Sequence, residues 1–230
     1  MRLNLIVLFF TCFFILMSHA AIAQINPVDL MTEVLKKSGE VKSFEADVDI
    51  DVDVDFIRIP VKKGRVFFKS PDKFRFRATG FVLVPKKGLN FSVMDMLSKK
   101  HTPIYAGNDE NNHILKIVPM DESSDFVIAT VWIDNTKTRI NKMDVTTIGQ
   151  GNYVMEFHYG NLSYDLPVET KVMFDISQVD IPMKFIGNLK VDQKKAGERS
   201  KGVVTLNYSN FKINGDIPDQ VFEEVGADTQ

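Results

Sequence analysis

From Phe44 to Phe56 the chain alternates without interruption. Phe44, Ala46, Val48, Ile50, Val52, Val54 and Phe56 are apolar, and Glu45, Asp47, Asp49, Asp51, Asp53 and Asp55 between them are all acidic. Strict period two predicts one long strand with an apolar face and a charged face, as in an antiparallel sheet wetted on one side. The theme repeats after a predicted turn at Lys62-Lys63-Gly64. A strand runs through Val66 and Phe68, a break falls at Ser70-Pro71-Asp72, and a third strand sets Phe74, Phe76 and Ala78 against Arg75, Arg77 and Thr79. The three form a meander whose outer face brings the acidic row near Arg65, Lys69, Arg75 and Arg77, where opposite charges across strands are mildly stabilising.

Period 3.6 shows up twice. Ahead of the first strand, Pro27 to Ser38 predicts a helix with Asn26 as N-cap, Pro27 at N1, Val28, Met31, Val34 and Leu35 on one face and Gly39 as its stop. After a second Lys-Lys-Gly turn at Lys86 to Gly88, a helical pattern from Leu89 to Lys99 places Val93, Met94 and Leu97 together. Strands are then predicted at His113–Val118, Phe126–Ile133, Ile140–Ile148, Asn152–Tyr159, Val168–Ile176, Met183–Val191 and Val203–Ile213, separated by Gly, Asn, Asp and Pro turns. The fold class is therefore mainly β: about nine to eleven antiparallel strands, two or more short helices, and no strand-helix alternation that calls for a parallel sheet.

Composition agrees with a folded domain: of 230 residues, 44% are hydrophobic and 25% charged. With 28 Lys and Arg against 30 Asp and Glu there is no bulk positive field to hold a nucleic acid, and none is expected as a partner. Residues 1–23 read as a signal peptide, with Arg2, an apolar run from Leu3 to Met17, and Ala21-Ile22-Ala23 as the cleavage pattern. Cleavage after Ala23 leaves one domain over residues 24–230. It also removes Cys12, the only cysteine, and with it disulfides, thiolate chemistry and cysteine-based metal sites.

Candidate chemistry is sparse. The Asp47 to Asp55 row has the ligand type that calcium takes, but same-face strand neighbours stand about 6.5–7 Å apart and no calcium loop accompanies them, so a solvated, ion-paired face is the better reading. His101, His113 and His158 have no partner at metal spacing and no nucleophile-base context. No catalytic residue, metal or cofactor is expected. The Lys62/Lys63, Lys86/Lys87 and Lys194/Lys195 pairs read as solvated turns, with a second reading as a rim that touches anionic headgroups or an acidic partner. What stands out is apolar quantity: 18 Phe and 10 Met in the chain. A curved sheet with few helices has one large apolar face, which either a second sheet covers or a cavity occupies.

Gly64-Arg65-Val66-Phe67-Phe68-Lys69-Ser70-Pro71-Asp72-Lys73-Phe74-Arg75 resembles the strand-turn-strand motif of the LolA-like superfamily of periplasmic lipoprotein carriers. Val131-Trp132-Ile133-Asp134 before a polar turn and Ile140, and the closing Asn210 to Asn214 followed by Asp219-Gln220-Val221-Phe222, extend the likeness over almost all of residues 26–223. That resemblance implies a single, strongly curved antiparallel sheet, an open half-barrel whose concave apolar face is capped by helices and receives acyl chains. Its partners would be lipid or lipoprotein acyl chains, an inner-membrane exporter and an outer-membrane acceptor, with the protein itself a monomer in the periplasm. The residues expected on that face are Phe44, Val48, Ile50, Val52, Val54, Val66, Phe68, Phe74 and Phe76, with Met31, Leu35, Met94 and Leu97 as the lid. The Arg that carriers of this family place just before the Pro is Ser70 here. A sensor or regulatory module on the same fold, and an exported structural β-domain with a filled core, stand as alternatives.

Overall fold

The computed structural model describes residues 25–54, 57–58, 60–78, 96–97, 99–122, 124–148, 151–175 and 201–223. Helix α1 (Pro27–Ser38) starts where Asn26 caps it, the side-chain Oδ1 accepting from the Val28 N–H at 3.0 Å, with Pro27 in the first turn. It ends at Gly39, whose N–H donates to the Leu35 carbonyl at 2.9 Å. Met31 and Val34 are buried and Leu35 packs beside them, whereas Val28, expected on the same face, is exposed.

Among the described residues eleven strands follow in one antiparallel sheet: β1 (Ser43–Val54), β2 (Ile57–Arg58), β3 (Lys62–Lys69), β4 (Lys73–Ala78), β5 (His101–Asn108), β6 (Asn112–Pro119), β7 (Phe126–Asp134), β8 (Ile140–Thr147), β9 (Asn152–Tyr159), β10 (Pro167–Asp175) and β11 (Lys201–Ile213). Ten of them lie in the order β4-β3-β1-β11-β10-β9-β8-β7-β6-β5, with the two-residue β2 pairing off the path against β1. The sheet does not close: β4 and β5 are its two ends, and residues 79–100 connect one to the other.

The inner face is continuous in register. Val52 on β1 lies opposite Val204, which opposes Val172, then Met155, Met143, Val131, Leu115 and finally Tyr105 on β5. On the other side Ala46 opposes Val66, and Val66 opposes Phe76 on β4. Nearly all of these join a single hydrophobic cluster with Met31 and Val34 of α1 and Leu97. Ten strands side by side span about 43 Å when flat, and α1, with 12 residues, is only about 18 Å long. One cluster reaching both halves accords with a sheet that curls over its own face, the open half-barrel that right-handed strand twist favours.

Several expected elements differ. Lys62-Lys63-Gly64 is not a turn; it is the start of β3, pairing with Ile50, Asp49 and Val48. Gly64 marks a close approach rather than a bend, because a Cβ built there meets the Phe76 ring and the Arg77 carbonyl at 2.7 Å. Strand β5 is not among the strands expected from the sequence, and it contains Pro103 and Gly107, residue types that strands seldom hold. An end strand tolerates both: Pro103 removes a donor where no neighbour follows, and Gly107, with φ +123°, takes up the register shift against β6. Of the helix expected over Leu89–Lys99, Met96 and Leu97 are described and helical, while Met94 lies outside the described residues. The strand expected at Met183–Val191 and the lysine pairs at 86/87 and 194/195 also lie outside them.

At one end of the strands the hairpins are tied by polar groups. Asp109 accepts the Asn111 and Asn112 N–H at 2.9 and 2.7 Å. Asp134 accepts the Thr136 and Lys137 N–H, both at 2.9 Å, and the Thr136 hydroxyl at 2.7 Å. Arg139 lies over the Tyr159 ring at 4.1 Å, and the Tyr159 hydroxyl donates to the Ile140 carbonyl at 2.6 Å. Asn214, at φ 56°, accepts from the Lys42 N–H at 2.6 Å and donates to the Glu40 carbonyl at 3.1 Å, fastening the end of β11 to the start of β1.

Two outcomes follow from this packing. Gly64→Ala pushes a methyl against backbone and ring, and urea unfolding should show a loss of about 1–3 kcal/mol; an unchanged midpoint would mean the β3–β4 pair yields freely. Partial burial opposes ionisation of Asp134, but its hydrogen bonds from Thr136, Lys137 and Asn141 outweigh this and hold its pKa at about 2 against an ordinary 3.8. A depressed folded-state pKa contributes stability that is complete above the ordinary value and lost as pH falls through the folded one. Stability should therefore decline from about pH 4 toward pH 2, and Asp134→Asn should flatten that limb in acid titrations followed by circular dichroism.

Candidate functional site

The two faces of the sheet do different work. On the outer face the acidic row of β1 meets cations directly opposite. Arg65 pairs with Asp47 at 2.8 Å and Lys63 with Asp49 at 3.0 Å, while Glu45 takes Lys212 of β11 at 2.6 Å. Of the four cations expected beside this row, Arg65 alone pairs with it. Lys69 and Lys73 hold Asp219 at 2.7 and 2.9 Å, and Arg77 donates to the Val221 carbonyl at 3.1 Å while lying over Phe67. His158 pairs with Glu169 at 3.1 Å on this same solvated face. Among the described residues no group of three or more His, Cys, Asp or Glu is placed to hold a metal ion.

The inner face has two zones. Toward β6, β7 and β8 it is sealed: Leu115, Ile117, Val131, Ile133, Met143 and Val145 are each 0% exposed. Toward β4, β3, β1 and β11 the same face ends in aromatic rings that are only partly covered. Phe74 on β4 opposes Phe68 on β3, and Phe68 opposes Phe44 on β1. The ring of Phe44 lies 5.6 Å from Phe68 and 6.3 Å from Phe211, and Phe211 lies 6.2 Å from Tyr208. Phe44, Phe68, Phe211 and Tyr208 are half-buried and Phe74 is 47% exposed. Interplanar angles of 30° to 48° give tilted contacts, a favourable arrangement for aromatic pairs.

Placed on this map, the residues expected from the sequence divide. Val48, Ile50, Val52, Val54 and Val66 are buried in the cluster, and Phe44 and Phe76 pack partly against it. Phe68 and Phe74 belong to the uncovered row. Of the lid residues, Met31 and Leu97 are buried and Leu35 is partly covered, all three in contact with the same cluster. Tyr208 and Phe211 were missed, although both lie in a recognised strand. Three residues apart, they fall on opposite faces under period two. A bulge opposite Glu45 and Asp47 returns both to the inner face, with Asn210 at φ 53° and its amide donating to Asp47 Oδ2 at 2.8 Å. That amide, together with Arg65, holds the Asp47 carboxyl below the usual carboxylate range.

Few polar groups face inward. Burial pushes the Tyr208 hydroxyl up to about 12, so it stays protonated, and it hydrogen-bonds the buried Thr170 on β10. The row thus presents flat, rigid hydrocarbon with one fixed hydroxyl. It offers dispersion contact and apolar burial, worth about 25 cal/mol per Å² removed from water.

Solved structures match the fold of this chain. A LolA superfamily protein from Nitrosomonas europaea superposes with a TM-score of 0.57 at 13% identity, over 87% of this chain and 99% of that one. A DUF1329 family protein from Desulfovibrio piger does so with a TM-score of 0.58 at 8% identity, over 87% and 98%. The chain has a LolA-like fold. No family model and no curated protein matches its sequence.

Since the two zones differ in cover, truncation should separate them. Leu115→Ala should cost about 2–5 kcal/mol in urea unfolding, as fully buried leucines do. Phe44→Ala and Phe211→Ala should cost under about 2 kcal/mol, because those rings already meet solvent. Equal losses at all three positions would show the row to be ordinary core.

Proposed function

We propose that this chain is a periplasmic, non-enzymatic carrier that shelters acyl chains of lipids or lipoproteins and moves them toward the outer membrane. The observation that carries the reading is the half-covered aromatic row at the margin of an otherwise sealed apolar interior. Exposed hydrocarbon on a soluble domain is costly to keep, and apolar area of this kind marks a binding surface. The leader-like residues 1–23, cleaved after Ala23, would deliver the domain 24–230 across the inner membrane. The LolA-like fold and the strand-turn-strand motif at Gly64 to Arg75 support the same assignment.

Physically the task needs no catalytic group. At about 0.8 kcal/mol per buried methylene, a long acyl chain is worth on the order of 10 kcal/mol, which makes unaided passage through water very slow. In this proposal the chain lies along Phe74, Phe68, Phe44 and Phe211 and reaches inward past Phe76 and Val66, with α1 and Leu97 as the cover that shifts to admit it. An inner-membrane exporter would load the monomer and an outer-membrane acceptor would empty it. No metal or cofactor enters the cycle.

Native mass spectrometry of the protein purified from a periplasmic extract, followed by solvent extraction, tests this directly. A stoichiometric co-purifying phospholipid or acylated peptide is the expected result. A clean apo mass, with no uptake of a fluorescent fatty acid, would overturn it. Phe76→Asp should fold and lose uptake, whereas Ile50→Asp, fully buried, should unfold, because an unpaired buried charge costs several kcal/mol.

A further inference from the structure

The outer face of the β3–β4 hairpin has a charge pattern that the fold itself does not explain. Arg65 lies directly opposite Arg77, and Lys69 directly opposite Lys73. Like charges facing each other across strands are destabilising. Two acids answer this group of cations: Asp47 on Arg65, and Asp219 shared between Lys69 and Lys73. Arg77 is spent on a carbonyl and on the Phe67 ring. Arg75, opposite Phe67, meets no acid among the described residues. Counting Lys62 and Lys63 as well, the hairpin carries seven cations against its own Asp72 and the three carboxylates that pair with it, Asp47, Asp49 and Asp219, which leaves an excess of positive charge on one hairpin of a chain whose overall net charge is −2.

The same strand carries the most exposed ring of the aromatic row. In β4, Lys73, Arg75 and Arg77 point to one face and Phe74 and Phe76 to the other, and β4 is an end strand of the sheet. Cations that reach phosphate beside an aromatic ring at headgroup depth form the pattern by which proteins rest on a bilayer. From Phe74 the row leads through Phe68 and Phe44 into the apolar interior.

We infer that the β3–β4 hairpin is a docking edge for membranes bearing anionic phospholipid, with Arg75 on the phosphates, Lys73 and Arg77 adding to the local positive field, and Phe74 in the interface. The charge excess selects the partner, since a zwitterionic surface offers it no net attraction. Docking in this orientation sets the start of the aromatic row at the hydrocarbon boundary; this second step rests on the carrier reading, while the docking itself does not.

The test is co-sedimentation of the full mature protein with vesicles of phosphatidylcholine alone and of phosphatidylcholine mixed about one to one with phosphatidylglycerol. Binding to the mixed vesicles alone is expected, weakening as salt rises. Arg75→Gln should lower the partition coefficient about fivefold and Arg75→Glu about tenfold or more. Phe74→Ser should lower it about five- to tenfold. Lys116→Glu, an exposed cation on β6, should leave it unchanged. Among the described residues Arg75 pairs with no acid, so its variants should melt with the parent. Equal sedimentation with both vesicle types, or indifference to Arg75→Glu, overturns the docking edge. Uptake of a monomeric fluorescent fatty acid, measured on the same variants without vesicles, separates the two readings. Uptake without vesicle binding removes the docking edge and leaves the carrier, and vesicle binding without uptake does the reverse.

Discussion

A single sheet with one apolar face must hide that face, and everything else in this molecule follows from how it does so. Among the described residues the cover available is one 12-residue helix and Leu97. Leu115 and Ile117 toward one end of the sheet and Val48 and Val66 toward the other are buried in one cluster, which accords with strands that curl until the two halves meet. Curling also decides where cover runs short. Among the described residues Phe74 on β4 has a neighbouring strand on one side only, and the row that continues from it through Phe68 and Phe44 to Phe211 is aromatic. Large rigid rings with two rotatable bonds fill a loosely bounded volume at low entropic cost, as smaller aliphatic side chains cannot.

The outer face solves a different problem. An uninterrupted acidic row on β1 would repel itself, so its neighbours supply cations in register: Arg65 and Lys63 from β3, and Lys212 from β11. Each such pair is exposed and individually worth little. Their value lies in register, because a one-residue slip of β3 against β1 turns the cations inward along with the apolar side chains. Further out, at β4, no acidic strand follows. There the chain lays its own C-terminal segment across the hairpin, with Asp219 between Lys69 and Lys73 and Ile217 buried beside it. Those two lysines hold Asp219 at a pKa of about 2, so the strap keeps its charge through the whole physiological range.

Much of this architecture was legible because its signals are local. The Asp-Val alternation of β1, the cap and first-turn proline of α1, and the polar turn after Asp134 each state their own conformation within a few residues. What was not legible depends on neighbours distant in sequence. Gly64 reads as a turn until Phe76 is placed over it. Strand β5 holds Pro103 and Gly107, which its place at the end of the sheet tolerates because a missing donor costs little there. Tyr208 and Phe211 share a face only through a bulge held by Asn210 and Asp47. The apolar face could thus be assigned from alternation, but its division into a sealed half and a half-covered aromatic row could not, because cover is a property of the folded sheet.

That division is what a carrier requires and what a structural β-domain does not. A uniformly sealed interior would hold its shape too firmly to admit a flexible chain: opening it would cost the packing of residues such as Leu115 and Val131, each worth about 1.5–3 kcal/mol. A uniformly open face would draw proteins into aggregates. Joining a rigid, fully packed half to a margin of partly solvated rings separates the two demands. The packed half holds the sheet's curvature, and the aromatic margin can exchange water for hydrocarbon with little loss of native contact. Because the margin begins at Phe74 on the end strand that also carries unbalanced cations, the proposed entry of an apolar chain and the proposed attraction of its anionic surroundings converge on one side of the molecule.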